Sequence, residues 1–342
     1  MQMILIVARR MFSAAATSLM CKIGIIGGNG GIGRHLALRL KLNKYVTDIS
    51  LWDITDTKGV AADLSHIDTN VKVSPHSGDQ KSLIEAMKCT DLVVNTAGVA
   101  HSEKIKTREQ MFDANAELMI NFTRAIACAC ADNMPMIHIV ANPVNALVPV
   151  CCEYLKELGC YNHRKVSGSS SVDSMRARTF LGQLKDHDPS KIFVPVIGGH
   201  SAGSIAPLLS QAKPDFQLAQ KELEKLYKRI IFGANEVVEA KKGHGAAQLS
   251  MGHCVERFCN SFCRAIHGEK KVVEVAYVPA NVNDLEYFAC HFTLDENGIK
   301  EFHKLPNMSI DEAGRYCEAR TDIQKSIDQG KKYVQQYLKQ KK

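Results

Sequence analysis

Residues 22 to 53 hold the pattern that most narrows what this chain can fold into. Lys22-Ile-Gly-Ile-Ile26 reads as a short apolar strand, and Gly27-Gly-Asn-Gly-Gly-Ile-Gly33 as a turn almost free of side chains. Arg34 to Lys41 reads as an amphipathic helix, and Asp48-Ile-Ser-Leu-Trp52 as a second strand. Gly27, Gly30 and Gly33 allow a tight turn, the close approach of backbone N–H groups to a pyrophosphate, and packing of the helix on the sheet. The helix N-terminus then faces the negative charge. Asp53 follows Gly33 by about 20 residues, the offset of a carboxylate that accepts hydrogen bonds from an adenosine ribose. A carboxylate there repels a 2′-phosphate, so the segment predicts NAD and not NADP. Glycines also serve ordinary turns, but the strand before, the helix after and the acid at this distance turn the loop into a nucleotide site.

Strands continue to alternate with helical stretches through the first half. Val71 to Val73, Leu92 to Asn95 and Met136 to Val140 read as strands, and Arg108 to Asn133 as a long helix. This alternation predicts an α/β fold with a doubly wound parallel sheet. After about residue 145 the pattern changes. Helices are expected at Val172 to Leu184, Gln217 to Lys241 and from Ile310, with strands near Phe193 to Ile197, Val272 to Val278 and Tyr287 to Leu294. The expected division is 1–20 as a possible targeting segment, 21–145 for the cofactor, and 146–342 as an α+β domain for substrate and dimer formation.

Composition excludes several other classes. Lys and Arg exceed Asp and Glu by a formal +7 and aromatics are 6%, with no basic block interleaved with aromatics, so no nucleic-acid partner is expected. No apolar run approaches the roughly 20 residues of a membrane span. The 12 cysteines lie in hydrophobic stretches of a large domain and read as reduced thiols. Cys254, Cys259 and Cys263, with His253, sit on a helix-like stretch without paired C-x-x-C hooks; core packing is expected and no metal site. Met1 to Met20 carries Arg9 and Arg10, several Ser and Ala, and no acid, the composition of a mitochondrial presequence. The matrix is therefore the expected location, with a start at Met11 or Met20 and a cytoplasmic protein as the alternative.

Three later segments supply chemistry. Ser171-Val-Asp-Ser-Met-Arg176 opens a helix, so Asp173 and Arg176 share a face. Phe193-Val-Pro-Val-Ile-Gly-Gly-His200 is a strand that ends in two glycines and presents an imidazole at its tip. Thr107-Arg108 begins a helix. Together with Leu51-Trp-Asp-Ile, Gly59-Val-Ala-Ala-Asp-Leu-Ser-His66, Ala141-Asn-Pro-Val-Asn145 and Leu249-Ser-Met251, these segments make the chain resemble the NAD-dependent malate and lactate dehydrogenase family, and within it the mitochondrial and bacterial malate dehydrogenases. The resemblance runs from Lys22 nearly to the C-terminus.

That resemblance implies a Rossmann cofactor domain and hydride transfer between NAD and a small 2-hydroxy or 2-oxo acid. It implies that His200 relays a proton, a role that suits a side chain titrating at about 6.5 when free, and that Asp173 holds the ring and favours its protonated form. Arg176 would clamp the substrate C1 carboxylate through two parallel hydrogen bonds. Arg108 would polarise the reacting carbonyl, Asn142 would orient the substrate, and Asn115 would lie near the nicotinamide. A homodimer is implied, with a tetramer left open.

One segment departs from the family pattern. Its malate enzymes carry an arginine for the distal carboxylate in the loop before Thr107-Arg108. Here that loop reads Gly98-Val-Ala-His-Ser-Glu-Lys-Ile-Lys-Thr-Arg108, one residue longer, with His101 or Ser102 at the expected place and Lys104 and Lys106 nearby. An ammonium lacks the fork geometry of guanidinium. Malate is the expected substrate. A different 2-hydroxy acid and a non-catalytic NAD-binding relative are the alternatives.

Overall fold

The computed structural model describes residues 21–99, 108–131 and 133–341, with the backbone alone at Arg108. The first twenty residues and the selector loop with His101, Ser102, Lys104 and Lys106 lie outside the described residues, as does the Arg108 side chain. The order begins β1 (Lys22–Ile26), α1 (Gly31–Lys41), β2 (Asp48–Asp53), α2 (Lys58–Ser65), β3 (Lys72–Ser77), α3 (Gln80–Met87), β4 (Leu92–Asn95), α4 (Arg108–Cys130), β5 (Met136–Ile139), α5 (Val144–Glu157) and β6 (Val166–Gly168). It continues α6 (Ser171–Lys185), β7 (Val196–Gly198), β8 (Ile205–Pro207), α7 (Gln220–Ala240), α8 (Leu249–Ile266), β9 (Val272–Val278), β10 (Phe288–Asp295), β11 (Gly298–Phe302) and α9 (Ile310–Lys341).

The strands join one sheet in the order β3-β2-β1-β4-β5-β6-β9-β10-β7-β8, with β11 on β10. β3 through β6 pair in parallel, and β1 sits between β2 and β4. This is a doubly wound sheet, in which the order of the strands, not their direction, reverses between β1 and β4 and leaves a crevice at their carboxyl ends. The central strands are buried on both faces, so β1, β4 and β5 read as continuous apolar runs instead of alternating ones. From β6 onward the pairing is antiparallel, starting at Gly168 against Tyr277.

Several boundaries differ from the sequence reading. The parallel run does not end near residue 145: α5 and β6 extend it to Gly168. β3 reaches Ser77 because Pro75, which has no N–H to donate, sits at the sheet edge where none is needed. Regular pairing before His200 begins only at Val196; Phe193 instead makes an isolated bridge to Lys213, separated from β7 by Pro195. α1 starts at Gly31, three residues earlier than the apolar pattern shows.

The cysteines divide in two. Cys151 and Cys254 are buried, and burial pushes their thiols up to about 12 and about 11, so they pack as protonated apolar groups. Cys259 is also fully buried in the core. The reading of every cysteine as a reduced thiol is corrected at one pair: Cys21, just before β1, and Cys263 in α8 form a disulfide with Cα atoms 6.0 Å apart. Both sulfurs are wholly buried where α8 crosses the sheet, so two side chains chosen for packing also meet as a pair. Among the described residues, no helix is long and apolar enough to cross a membrane.

Candidate active site

The glycine loop closes the crevice from below. Gly27 and Gly28 both donate backbone N–H groups to the Trp52 carbonyl, so the loop is tied to the end of β2. Gly27 has φ +91°, and a Cβ there would lie 2.7 Å from the Ala97 nitrogen beyond β4. A Cβ on Gly33 would collide with the Gly27 carbonyl oxygen. Gly27 and Gly33 are bare because the backbone beside each leaves no room for a side chain.

Gly30 precedes α1 without any side-chain cap, which leaves first-turn N–H groups directed out of the helix. Asp53 closes the other side: its Oδ2 accepts from Asn29 N at 3.0 Å, and its Oδ1 accepts from Thr55 N and Thr55 Oγ1, each at 3.0 Å. A bare loop, an uncapped helix and a half-buried carboxylate fit a dinucleotide, with the diphosphate at α1 and a ribose at Asp53.

The second centre gathers side chains from distant segments. Asp173 lies in the first turn of α6, and its side chain is completely buried. Its Oδ2 takes a 2.6 Å hydrogen bond from His200 Nδ1, and its Oδ1 lies 3.3 Å from Arg176 Nη1 one turn along α6. A buried carboxylate is costly unless paired, and here two cationic or proton-bearing groups share it. With Nδ1 committed to Asp173, Nε2 of His200 is the nitrogen left for other chemistry. Arg176 spends one donor on Asp173 and keeps the rest of its fork, and Gly233 of α7 packs against its stem, where a Cβ would stand 3.2 Å from Arg176 Cδ.

The backbone of His200 is held as firmly as its ring. His200 N donates to Asn145 Oδ1 at 2.8 Å, and Asn145 Nδ2 donates to Ser204 Oγ at 3.0 Å. Ser201 Oγ donates to Asp322 Oδ2 of α9 at 2.5 Å. Asn145 and Asp322 were missed as site residues in the sequence reading. Asn145 carried a signal, as the last residue of Ala141-Asn-Pro-Val-Asn145, whereas no local pattern points to Asp322.

Asn142 and Asn115 meet at the crevice. Asn115 Nδ2 donates to the Asn142 carbonyl at 2.7 Å and to the Val99 carbonyl at 2.9 Å, while its Oδ1 accepts from Val99 N at 2.7 Å. Its buried carboxamide is therefore a staple between the loops after β4 and β5. The exposed Asn142 side chain stands at that junction.

The fold and these groupings agree with what the chain is similar to. The profile for the lactate/malate dehydrogenase NAD binding domain matches residues 21–168, and that for the lactate/malate dehydrogenase α/β C-terminal domain matches residues 170–334. Mitochondrial malate dehydrogenase of Felis catus is 39% identical, over 95% of this chain and 95% of that one. The mitochondrial enzyme of Caenorhabditis elegans is also 39% identical, over 95% of this chain and 94% of its own. The solved malate dehydrogenase of Cryptosporidium parvum superposes with a TM-score of 0.77 at 26% identity, covering 92% of this chain and 99% of that one.

Proposed function

We propose a function from one premise: this chain belongs to the lactate/malate dehydrogenase family. It is an NAD-dependent 2-hydroxy acid dehydrogenase. Our reading is that it interconverts malate and oxaloacetate, with His200 as the proton relay. The observation that carries this reading is the single Asp173 carboxylate shared by His200 and Arg176.

The cofactor, when bound, would supply the redox chemistry: hydride from NADH to the carbonyl carbon, or from the alcohol carbon to NAD⁺ in the reverse direction. Arg176 grips the substrate C1 carboxylate with the guanidinium edge that Asp173 leaves free. His200, held through Nδ1, gives a proton from Nε2 to the carbonyl oxygen as it becomes a hydroxyl. In the reverse direction the same nitrogen takes the hydroxyl proton. Asp173 fixes the ring and carries the counter-charge while the ring holds that proton. Asn142 orients the substrate, Arg108 polarises the carbonyl, and Asn115 supports the nicotinamide end by stapling its two loops. Gly27, Gly30, Gly33 and Asp53 seat the dinucleotide.

We assign cofactor binding to 21–145 together with the strand that completes its sheet, and substrate binding and pairing of two copies to the remainder. The basic first twenty residues and the mitochondrial relatives support a place in the matrix. The loop without its arginine favours a second reading, a dehydrogenase for a 2-oxo acid lacking the distal carboxylate. NADH oxidation with oxaloacetate, pyruvate and phenylpyruvate decides between them, with fastest turnover of oxaloacetate expected. Faster turnover of either other acid, raised toward oxaloacetate by Ser102→Arg, would establish the second reading. His200→Ala is expected to slow turnover by about 10²- to 10⁴-fold while NADH still binds. An unimpaired variant would remove His200 from the chemistry.

A further inference from the structure

Helix α8 begins where helix α1 begins. Gly252, in the first turn of α8, lies against α1: a Cβ there would stand 2.8 Å from His35 Cβ and 3.2 Å from Leu36 N. This close approach brings Gln248, the residue that precedes α8, onto Gly31, the first residue of α1. Gln248 Nε2 and Oε1 lie 2.5 and 2.7 Å from the point a Cβ on residue 31 would occupy. Cα–Cβ bonds tilt toward a helix N-terminus, so a group at that point stands beside the uncapped N–H groups of α1.

Gln248 is half-buried, and its carboxamide makes no hydrogen bond among the described residues. The other polar side chains at this end of α1 are engaged with one another. Asn29 Nδ2 donates to Thr55 Oγ1 at 2.8 Å, and Asn29 Oδ1 accepts from Arg34 Nη2 at 2.7 Å. Gln248 is thus a side-chain amide held at the diphosphate position with both N–H donors unspent.

We propose that Gln248 is a cofactor-binding residue whose Nε2–H groups donate to the diphosphate of NAD, so that the second half of the chain completes the cradle built by the first. This rests on the cofactor reading of Gly27 to Asp53. The geometry also accounts for glycine at position 31, where any side chain would displace the carboxamide.

The test is titration of the full chain with NADH, followed by nicotinamide fluorescence, and with adenosine, followed by calorimetry. Gln248→Leu keeps the bulk and removes the donors, and is expected to weaken NADH binding about tenfold, the scale of one charge-assisted hydrogen bond. Gln248→Glu sets a carboxylate against the diphosphate and is expected to weaken it further. Adenosine, which has no diphosphate, should bind all three proteins alike. Unchanged NADH affinity in Gln248→Leu overturns the proposal, as does a loss of adenosine affinity in step with NADH, which would signal a distorted loop. Asp53→Ala separates this failure from failure of the cofactor reading. Weaker NADH binding in that variant, beside an unchanged Gln248→Leu, removes only Gln248.

Discussion

The cofactor cradle and the catalytic cluster are built in opposite ways. The cradle is one uninterrupted stretch from Lys22 to Asp53, and its geometry comes from backbone and from atoms that are missing: no Cβ on Gly27 or Gly33, no cap before α1. The cluster draws Asn145, Asp173, Arg176, His200 and Asp322 from segments far apart in the chain, joined by side-chain hydrogen bonds. The difference teaches what each region tolerates. An added methyl should break the cradle, whereas the cluster should fail when a single oxygen or charge is taken away.

Exchanging charge for an amide at the centre of the cluster has the largest expected effect. Asp173→Asn keeps the shape but loses the counter-charge of His200, and turnover is expected to fall by about 10³-fold or more, as in triads that lose their acid, with NADH affinity held within about twofold. A matching loss of NADH affinity in fluorescence titrations would show that the two regions are not separable. Next comes the cradle: Gly33→Ala drives a Cβ into the Gly27 carbonyl, and NADH binding is expected to weaken by about a hundredfold, the cost of displacing packed backbone. Wild-type affinity in that variant would refute the account of the loop as a surface defined by absent side chains.

Asn145→Ala should cost less, about tenfold in kcat with the KM for NADH unchanged, because the bonds to the His200 backbone and to Ser204 go while Asp173 still holds the ring. Asn145→Asp keeps that acceptor, and recovery of part of the rate in steady-state assays would mark Asn145 as a positioning residue. No recovery would give Asn145 a packing role instead. The smallest effect is expected at Asp53→Asn, where removing the charge should raise the preference for NADPH over NADH only several-fold. A preference that stays fixed would mean that something other than Asp53 excludes the 2′-phosphate.

The same contrast decides what was legible in the sequence. The cradle announces itself because its parts are consecutive and their spacing has a mechanical reason, and β1, β2, β4 and β5 were readable as buried runs. Asp173 and Arg176 were readable as one helix face, since three residues make a turn. Contact between that face and His200 is a tertiary fact that local pattern does not encode, and it came only through resemblance to a family. Asp322 lay beyond even that, because an acid in a long, mostly polar helix looks like any solvated residue. β6 escaped notice because three residues carry too little periodicity to register. The Cys21–Cys263 pair escaped because burial suits a thiol and a disulfide equally.

Helix α9 carries a consequence for how the molecule comes into being. It is 32 residues long, packs Gly330 onto α5 and supplies Asp322 to the loop that bears His200. Its Glu312 accepts from Ser210 N, and its Tyr337 accepts from Arg124 Nη2 on the cofactor side of the molecule. Synthesis proceeds from the N-terminus, so α5 of the cofactor half and the loop that bears His200 both wait for the last segment to be made. A chain stalled before residue 310 would lack the cover over α5 and the Asp322 acceptor for Ser201 beside His200, so one late helix serves both regions at once.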